Sequence, residues 1–253
     1  MIVALICVLG LVIGSFLNVV VYRSHKGLCD IYGRSRCPHC EHSLVALDLV
    51  PVFSFIFLKG RCRYCEEPIS WQYLLLELGT AMAFLLLYWR FSLSPAFFVY
   101  VYYTCVLIVI FMIDLRYYVI LDKISIPAIL MAFILSPLVL KMNFINMIEG
   151  VFIGGGFFLL QFMVSRGRWI GGGDLRMGVL MGAMLGWPFI VPALFLAYFI
   201  GAVISLSFLA AGNKEWKRQV PLGTFLSFAT FLTFLSGDIL FSYYRVFSDW
   251  RLL

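Results

Sequence analysis

Long apolar stretches recur along most of this chain, and they restrict it to one class of fold. A helix needs about 20 predominantly apolar residues to cross the hydrocarbon core of a bilayer. With charged residues, Pro and Gly taken as boundaries, eight such stretches lie near residues 2–22, 72–89, 95–113, 124–140, 145–165, 174–187, 189–210 and 221–244. The sixth is short and rich in Gly, so it is expected to cross only in part. The sequence therefore predicts an all-α polytopic membrane protein with about eight transmembrane helices.

The composition excludes a soluble globular domain. Of the 253 residues, 63% are hydrophobic and 13% are charged, and the mean hydropathy is +0.99. A soluble domain has about 25% charged residues. The first stretch, residues 2–22, follows no basic residue, which argues against a cleaved signal peptide. We expect this stretch to remain as a membrane anchor.

The distribution of Lys and Arg predicts the orientation of the spans. With eight spans, fifteen of the 19 Lys and Arg residues fall on one side of the membrane and four on the other. Cytoplasmic loops carry an excess of these residues, so the richer side is expected in the cytoplasm and both termini outside it. The net charge of +6 is then a consequence of membrane insertion. We expect membrane lipid, and no nucleic acid, as a partner.

The one sizeable polar segment, residues 23–71, carries two CxxC units. Cys37-Pro-His-Cys40 and Cys62-Arg-Tyr-Cys65 have the spacing of two knuckles that close a tetrahedral zinc site with four thiolates. A segment of this size is marginal for a core of its own, and zinc would stabilise its fold. The alternatives are reduced or redox-active dithiols, or His39 and His42 as substitute ligands. Cys29 is expected to be a lone thiol.

Two aspartates lie at membrane borders. Asp114 ends the apolar run Val106–Ile113, and Asp174 follows three glycines, Gly171 to Gly173. A charge near membrane depth costs about 3 kcal/mol on insertion scales, so it indicates function. Two carboxylates that share a proton can hydrolyse an amide, one activating water and the other protonating the carbonyl oxygen. The glycines would admit an extended substrate strand.

Structural alternatives exist for both aspartates, and other acids compete with them. Asp114 could pair with Arg116, and Asp174 could cap the sixth helix. Asp122 and Glu149 also lie near span borders. Glu77 lies among leucines inside the second span, where it must find a partner, and we expect a role in helix packing.

Six motifs in order resemble the type IV prepilin peptidases, which are G-x-G-D aspartic membrane proteases. They are Gly14–Arg23, the two CxxC units, Ile69–Leu78, Asp114 with Asp122 and Pro127, Gly171–Asp174 and Val220–Gly223. The resemblance covers nearly the whole chain. It implies a bacterial inner membrane enzyme whose active site faces the cytoplasm and whose substrates are prepilins or pseudopilins.

The resemblance also implies a role for each motif. Asp114 and Asp174 would be the catalytic pair that cleaves a basic leader after a glycine. The four cysteines of the CxxC units would bind structural zinc. Many members of the family then methylate the new amino terminus with S-adenosylmethionine. The implied division is a first span at 1–22, a zinc-binding and methyltransferase loop at 23–71 and a peptidase domain at 72–253.

The sequence departs from the family pattern at three places. Ser24-His25 replaces a usual Leu-Pro at the entrance to the loop, Leu121 replaces a Pro before Asp122, and Arg176 replaces a Lys. The first departure leaves open a peptidase that does not methylate. A transporter or a non-catalytic scaffold is the other alternative, although the halves of the chain show no convincing internal repeat.

Overall fold

The computed structural model describes residues 1–25, 35–210 and 220–249. Cys29 and the basic residues Lys26, Arg34, Lys214, Lys217, Arg218 and Arg251 lie outside them. The described residues form nine α-helices: α1 (Ile2–His25), α2 (Phe53–Phe57), α3 (Trp71–Phe91), α4 (Pro95–Tyr117), α5 (Asp122–Leu138), α6 (Phe144–Ser165), α7 (Gly172–Leu185), α8 (Ile190–Ala210) and α9 (Leu222–Asp249). Within these residues there is no strand, only two isolated β-bridges. The predicted all-α fold is confirmed.

Each of the eight predicted spans is a helix. Five of them, α1, α3, α4, α6 and α8, are long and apolar enough to cross a membrane. The other three are shorter in their apolar part. Two prolines lie inside α5, which has 17 residues, and α7 has 14 residues and is followed by Gly186. The sixth stretch was expected to be too short to cross the membrane completely, and the length of α7 agrees with this expectation.

Local sequence signals set several helix ends. Ser70, Ser94 and Asn143 precede α3, α4 and α6, and each side-chain oxygen accepts a hydrogen bond from a backbone N–H of the first turn. Pro95 occupies the first position of α4, where its missing N–H costs nothing. At the other end of α4, Tyr118 adopts a left-handed conformation that turns the chain out of the helix.

Residues Met1–Leu93 form one compact unit. In it α1 packs closely on α3 because two glycines face the partner helix. A Cβ at Gly10 would lie 2.5 Å from the Cα of Ala81, and one at Gly14 would lie 2.8 Å from the Cα of Glu77. Neither position has room for a side chain. Asn18 on the same helix donates a hydrogen bond to the carbonyl of Tyr73.

Residues Ser94–Leu253 form a second unit, which contains α4 to α9. Its core is built from large apolar side chains such as Tyr103, Phe158, Met177 and Met181, all of them fully buried. The core also contains one polar chain of contacts, in which the hydroxyls of Tyr103 and Ser136 lie 2.8 Å apart and Ser136 donates to the carbonyl of Ala183.

A glycine seam joins α6 and α7 in this unit. Gly150 and Gly154 on α6 face Gly178 and Gly182 on α7, and each pair follows the four-residue spacing of small residues at close helix contacts. A Cβ at any of the four would overlap the backbone of the opposite helix. The seam fixes α7 against α6, and α7 carries Asp174 in its first turn.

Candidate active site and metal centre

Asp114 lies in the last turn of α4 and is buried, with 5% of its surface exposed. Its Oδ2 accepts a hydrogen bond from the backbone N–H of Thr224 at 2.7 Å and another from the Thr224 hydroxyl at 3.1 Å. No ion pair joins Asp114 to Arg116 within the described part of the chain. The alternative in which Asp114 is a solvated partner of Arg116 is therefore wrong.

Asp174 is the third residue of α7, and its carboxylate turns back toward the start of the helix. Its Oδ2 accepts a hydrogen bond from the backbone N–H of Gly171 at 3.1 Å. Asp174 thus does cap α7, as the structural alternative expects. The cap occupies Oδ2 and leaves Oδ1 available for another partner, so capping and a chemical role are compatible.

Ile120 connects the surroundings of the two aspartates. A Cβ placed on Gly173 would lie 3.0 Å from the Cβ of Ile120, and one on Gly223 would lie 2.9 Å from its Cδ1. The Cβ at Gly223 would also lie 3.0 Å from the Cγ of Asp114. Gly173, directly before Asp174, and Gly223, beside Asp114, thus both border Ile120. Folding therefore brings two carboxylates from different helices to the surroundings of one side chain.

The other acids have other surroundings. Asp122 is exposed and forms an ion pair with Arg176 at 2.5 Å. Arg176 lies two residues after Asp174 in the chain. Glu149 is exposed on α6. Glu77 has 7% of its surface exposed, and its carboxylate accepts a hydrogen bond from the backbone N–H of Val52 at 2.8 Å. The partner of Glu77 is thus the polar loop, and not only a neighbouring helix.

The four cysteines of the CxxC units meet at one place. The sulfur atoms of Cys37, Cys40, Cys62 and Cys65 all lie within 4.8 Å of one another, and those of Cys37 and Cys65 are 3.8 Å apart. Zinc bound by four thiolates at about 2.3 Å places the sulfurs about 3.8 Å apart at tetrahedral angles. The cluster can therefore bind a metal ion such as zinc. His42 instead packs its ring against Tyr64.

The two knuckles repeat the same backbone geometry 25 residues apart. In the first knuckle, the backbone N–H of Glu41 donates a hydrogen bond to the carbonyl of Cys37. In the second, the backbone N–H of Glu66 donates to the carbonyl of Cys62. Both glutamates adopt positive φ, 57° and 60°. The bridges that close the knuckles, Arg36 with Ser43 and Arg61 with Pro68, are also equivalent. Two similar turns thus present two thiols each to a common centre.

The thiols of the cluster differ in acidity. Burial disfavours the thiolate of Cys37, but hydrogen bonds from the backbone at Cys40 and His39 and from neighbouring thiols lower its pKa to about 7. The backbone at Glu67 also favours the thiolate of Cys65, but desolvation and the neighbouring thiols raise its pKa to about 12. One thiol therefore ionises readily while another keeps its proton, so binding a metal cation releases protons.

Comparison with known proteins finds a family match within each of the two units. Residues 8–91 match the bacterial peptidase A24 N-terminal domain, and residues 101–206 match the type IV leader peptidase family. The prepilin leader peptidase/N-methyltransferase of Burkholderia pseudomallei (strain K96243) is 31% identical over 252 residues, covering 87% of this chain and 81% of that protein. The chain belongs to the type IV leader peptidase family. No solved structure matches it.

Two other relatives match over a larger share of the chain. The prepilin leader peptidase/N-methyltransferase of Bacillus subtilis (strain 168) is 29% identical over 244 residues, 95% of this chain and 97% of that protein. The protein of that name from Aeromonas hydrophila is 29% identical over 275 residues, 95% of this chain and 93% of that protein. The predicted resemblance and the predicted enzyme class, a peptidase, are confirmed.

Within this leader peptidase, the two candidate sites fall in different matched regions. Asp114 and Asp174 lie in the region 101–206, and the four cysteines lie in the region 8–91. Thr224 lies beyond both regions. The sequence carries the family motif Val220–Gly223, but no role was predicted for Thr224, which directly follows it. A polar residue in the first turn of an apolar helix, shortly after Pro221 and Gly223, was the available signal.

Proposed function

We propose that this chain is an aspartic endopeptidase of the bacterial inner membrane, with Asp114 and Asp174 as its catalytic pair. Its substrates are type IV prepilins or pseudopilins, and it removes their basic leader. The observation that supports this most directly is the placement of two carboxylates, one buried and one at a helix start, around Ile120 in the region that matches a leader peptidase family. The names of the relatives support the substrate class.

Each aspartate has a role in the proposed reaction. The ionised carboxylate takes a proton from a water molecule, which attacks the scissile carbonyl, and the protonated partner donates to the carbonyl oxygen. Thr224 orients the carboxylate of Asp114 through its two hydrogen bonds. The N–H of Gly171 orients that of Asp174.

The glycines before Asp174 are proposed to receive the substrate. Gly171 and Gly172 are exposed, and a Cβ at Gly172 would meet no atom within 4 Å. Backbone without side chains allows an extended peptide to approach closely. A leader peptide could then place its scissile bond beside Asp174, which the first turn of α7 holds in position.

The active site is proposed to face the cytoplasm. Arg116 and Lys123 flank the connection that follows Asp114, and Arg166 and Arg168 lie in the connection that precedes Asp174. Basic residues concentrate in cytoplasmic loops, so both connections are assigned to that side.

Methyl transfer is proposed as a second activity, located in the loop at residues 23–71. The loop matches part of the bacterial N-terminal domain, and the relatives are named as methyltransferases. S-adenosylmethionine would supply the methyl group to the new amino terminus. The proposed role of zinc is structural, because a site with four cysteine ligands leaves no open position for a reactant.

The peptidase proposal is tested with purified protein and a full-length prepilin. Asp114→Asn and Asp174→Asn are each expected to abolish the leader-sized shift on a gel, because an amide can neither activate water nor share the proton. Asp122→Asn is expected to retain cleavage, as is Glu149→Gln, a matched change at an exposed acid of the same unit. Substantial cleavage by either catalytic variant would contradict the pair, and no cleavage by the wild type would favour a transporter or scaffold.

A further inference from the structure

The short helix α2 presents an apolar face that the chain does not cover. Phe53, Ile56 and Phe57 are 57%, 61% and 79% exposed. Their spacing of three and four residues places them on one side of the helix. Phe55 points the other way and packs against the ring of Trp71, with centroids 5.3 Å apart. The helix thus packs Phe55 against the protein and leaves three large apolar side chains facing outward.

The position of α2 is fixed relative to the membrane helix α3. The backbone N–H of Val52, directly before α2, donates to the carboxylate of Glu77. Glu77 lies six residues after Trp71, the first residue of α3, which corresponds to about 9 Å along the helix axis. Trp side chains favour the headgroup level of a membrane. With Trp71 at that level, the start of α2 would lie about as deep as interfacial helices bury their apolar face, about 5–10 Å into the headgroup and acyl boundary.

Basic side chains lie next to the exposed apolar face. Lys59, Arg61 and Arg63 line an open cleft of about 620 Å³, together with one acid, Glu66. Arg63 is paired with Asp48 at 2.8 Å. In the described part of the chain, Lys59 and Arg61 form no ion pair, and both are exposed. Lys59 and Arg61 therefore present two unpaired positive charges beside an apolar helix, in a cleft that Glu66 and the cluster thiol Cys62 also line.

We propose that α2 and this basic cleft bind the surface of the membrane, with Phe53, Ile56 and Phe57 among the acyl chains and Lys59 and Arg61 on anionic phospholipid headgroups. Apolar side chains beside Lys and Arg are the pattern of interfacial membrane binding. A basic leader peptide has the same sign of charge as the cleft, so the charge favours lipid over that substrate. The polar loop is then attached to the bilayer at three places: through the membrane helices α1 and α3 that flank it, and through α2 with the basic cleft.

Photo-crosslinking in vesicles tests the position of α2. The full-length protein carries p-benzoylphenylalanine in place of Phe57 or, as control, of His39, which is exposed in the first cysteine knuckle. The vesicles contain phosphatidylcholine and phosphatidylglycerol, and adducts are identified by mass spectrometry. Lipid adducts are expected at position 57 and not at position 39. Equal adducts at both positions, no lipid adduct at 57, or an adduct there to added prepilin in place of lipid would overturn the proposal.

The two knuckles supply a matched test of the charges. The readout is the enrichment of phosphatidylglycerol over phosphatidylcholine among the adducts at position 57. Lys59→Gln and Arg61→Gln are each expected to lower this enrichment about fivefold, since one basic residue near an anionic surface contributes about that factor. Arg36→Gln changes the equivalent position of the first knuckle and is expected to leave it unchanged. An equal effect of Arg36→Gln, or no effect of Arg61→Gln, would contradict the basic cleft as a headgroup site.

Discussion

Thr224 donates two hydrogen bonds to one carboxylate oxygen of Asp114, although the two residues are 110 positions apart in the chain. One bond comes from the backbone at the start of α9, and the other from the hydroxyl. The start of α9 and the end of α4 are thereby held together at the proposed catalytic carboxylate. Thr224 is best described as a positioning residue, because it acts through Asp114.

Removing the hydroxyl of Thr224 is expected to slow cleavage. Thr224→Val keeps the shape and the backbone bond but loses the side-chain bond to a charged group, which is worth about 1.5–3 kcal/mol. The expected result is a kcat about 10- to 100-fold lower with little change in KM, measured by prepilin cleavage. Thr224→Ser restores the hydroxyl and should restore kcat. A fall in both variants alike would indicate a packing role instead.

Adding a methyl group at Gly223 is expected to displace Asp114. The Cβ of Gly223→Ala would lie 3.0 Å from both Cγ and Oδ2 of Asp114, so the carboxylate or the start of α9 must shift. A displacement of about 1 Å at a catalytic group can cost about 100-fold in rate. Gly156→Ala is the control, because its Cβ would meet no atom within 4 Å. Normal cleavage by Gly223→Ala would show that Asp114 tolerates movement.

The metal site is expected to hold about one zinc per chain and to stabilise the loop. Elemental analysis of the purified protein measures the zinc, and limited proteolysis measures protection of residues 35–70. Cys37→Ser or Cys62→Ser should lose both the zinc and the protection from proteolysis, because metal binding supplies folding free energy to a segment without a large core. Cys105→Ser, in α4 and outside the cluster, should lose neither. A metal-free protein with an equally protected loop would contradict this prediction.

Cleavage and methylation are expected to be separable. Asp174→Asn should still transfer labelled methyl from S-adenosylmethionine to a pilin peptide supplied already trimmed, because methyl transfer does not need a proton-sharing carboxylate pair. Cys62→Ser should impair methylation more than cleavage. If the wild type cleaves full-length prepilin but does not methylate the trimmed peptide, the chain is a peptidase only, as the replacement Ser24-His25 allows.

The helices and the cysteine cluster were predictable from sequence because their signals are local. A run of about 20 apolar residues needs only its own composition to indicate a span. Two CxxC units likewise indicate a metal site through spacing alone. The pairing of Asp114 with Asp174 was proposed from their positions at membrane borders and from the family resemblance, since no local pattern brings distant helices together.

The contacts that orient the site were not predictable in the same way. The bonds from Thr224 to Asp114, and from Val52 to Glu77, join segments whose sequences carry no mark of each other. Val52 shows the difficulty most plainly, because it has a φ of 64°, which a β-branched residue rarely adopts. In this conformation its backbone N–H donates to the buried carboxylate of Glu77, 25 residues further along the chain.

The glycine seam between α6 and α7 affects how inactive variants of this protein should be interpreted. Random substitution at Gly154 or Gly178 would abolish activity as completely as substitution of Asp174, although neither glycine touches a reactant. The two classes differ in what remains in the membrane. A seam variant should vanish from immunoblots as quality control degrades it, while an aspartate variant should accumulate at the wild-type level and still bind uncleaved prepilin.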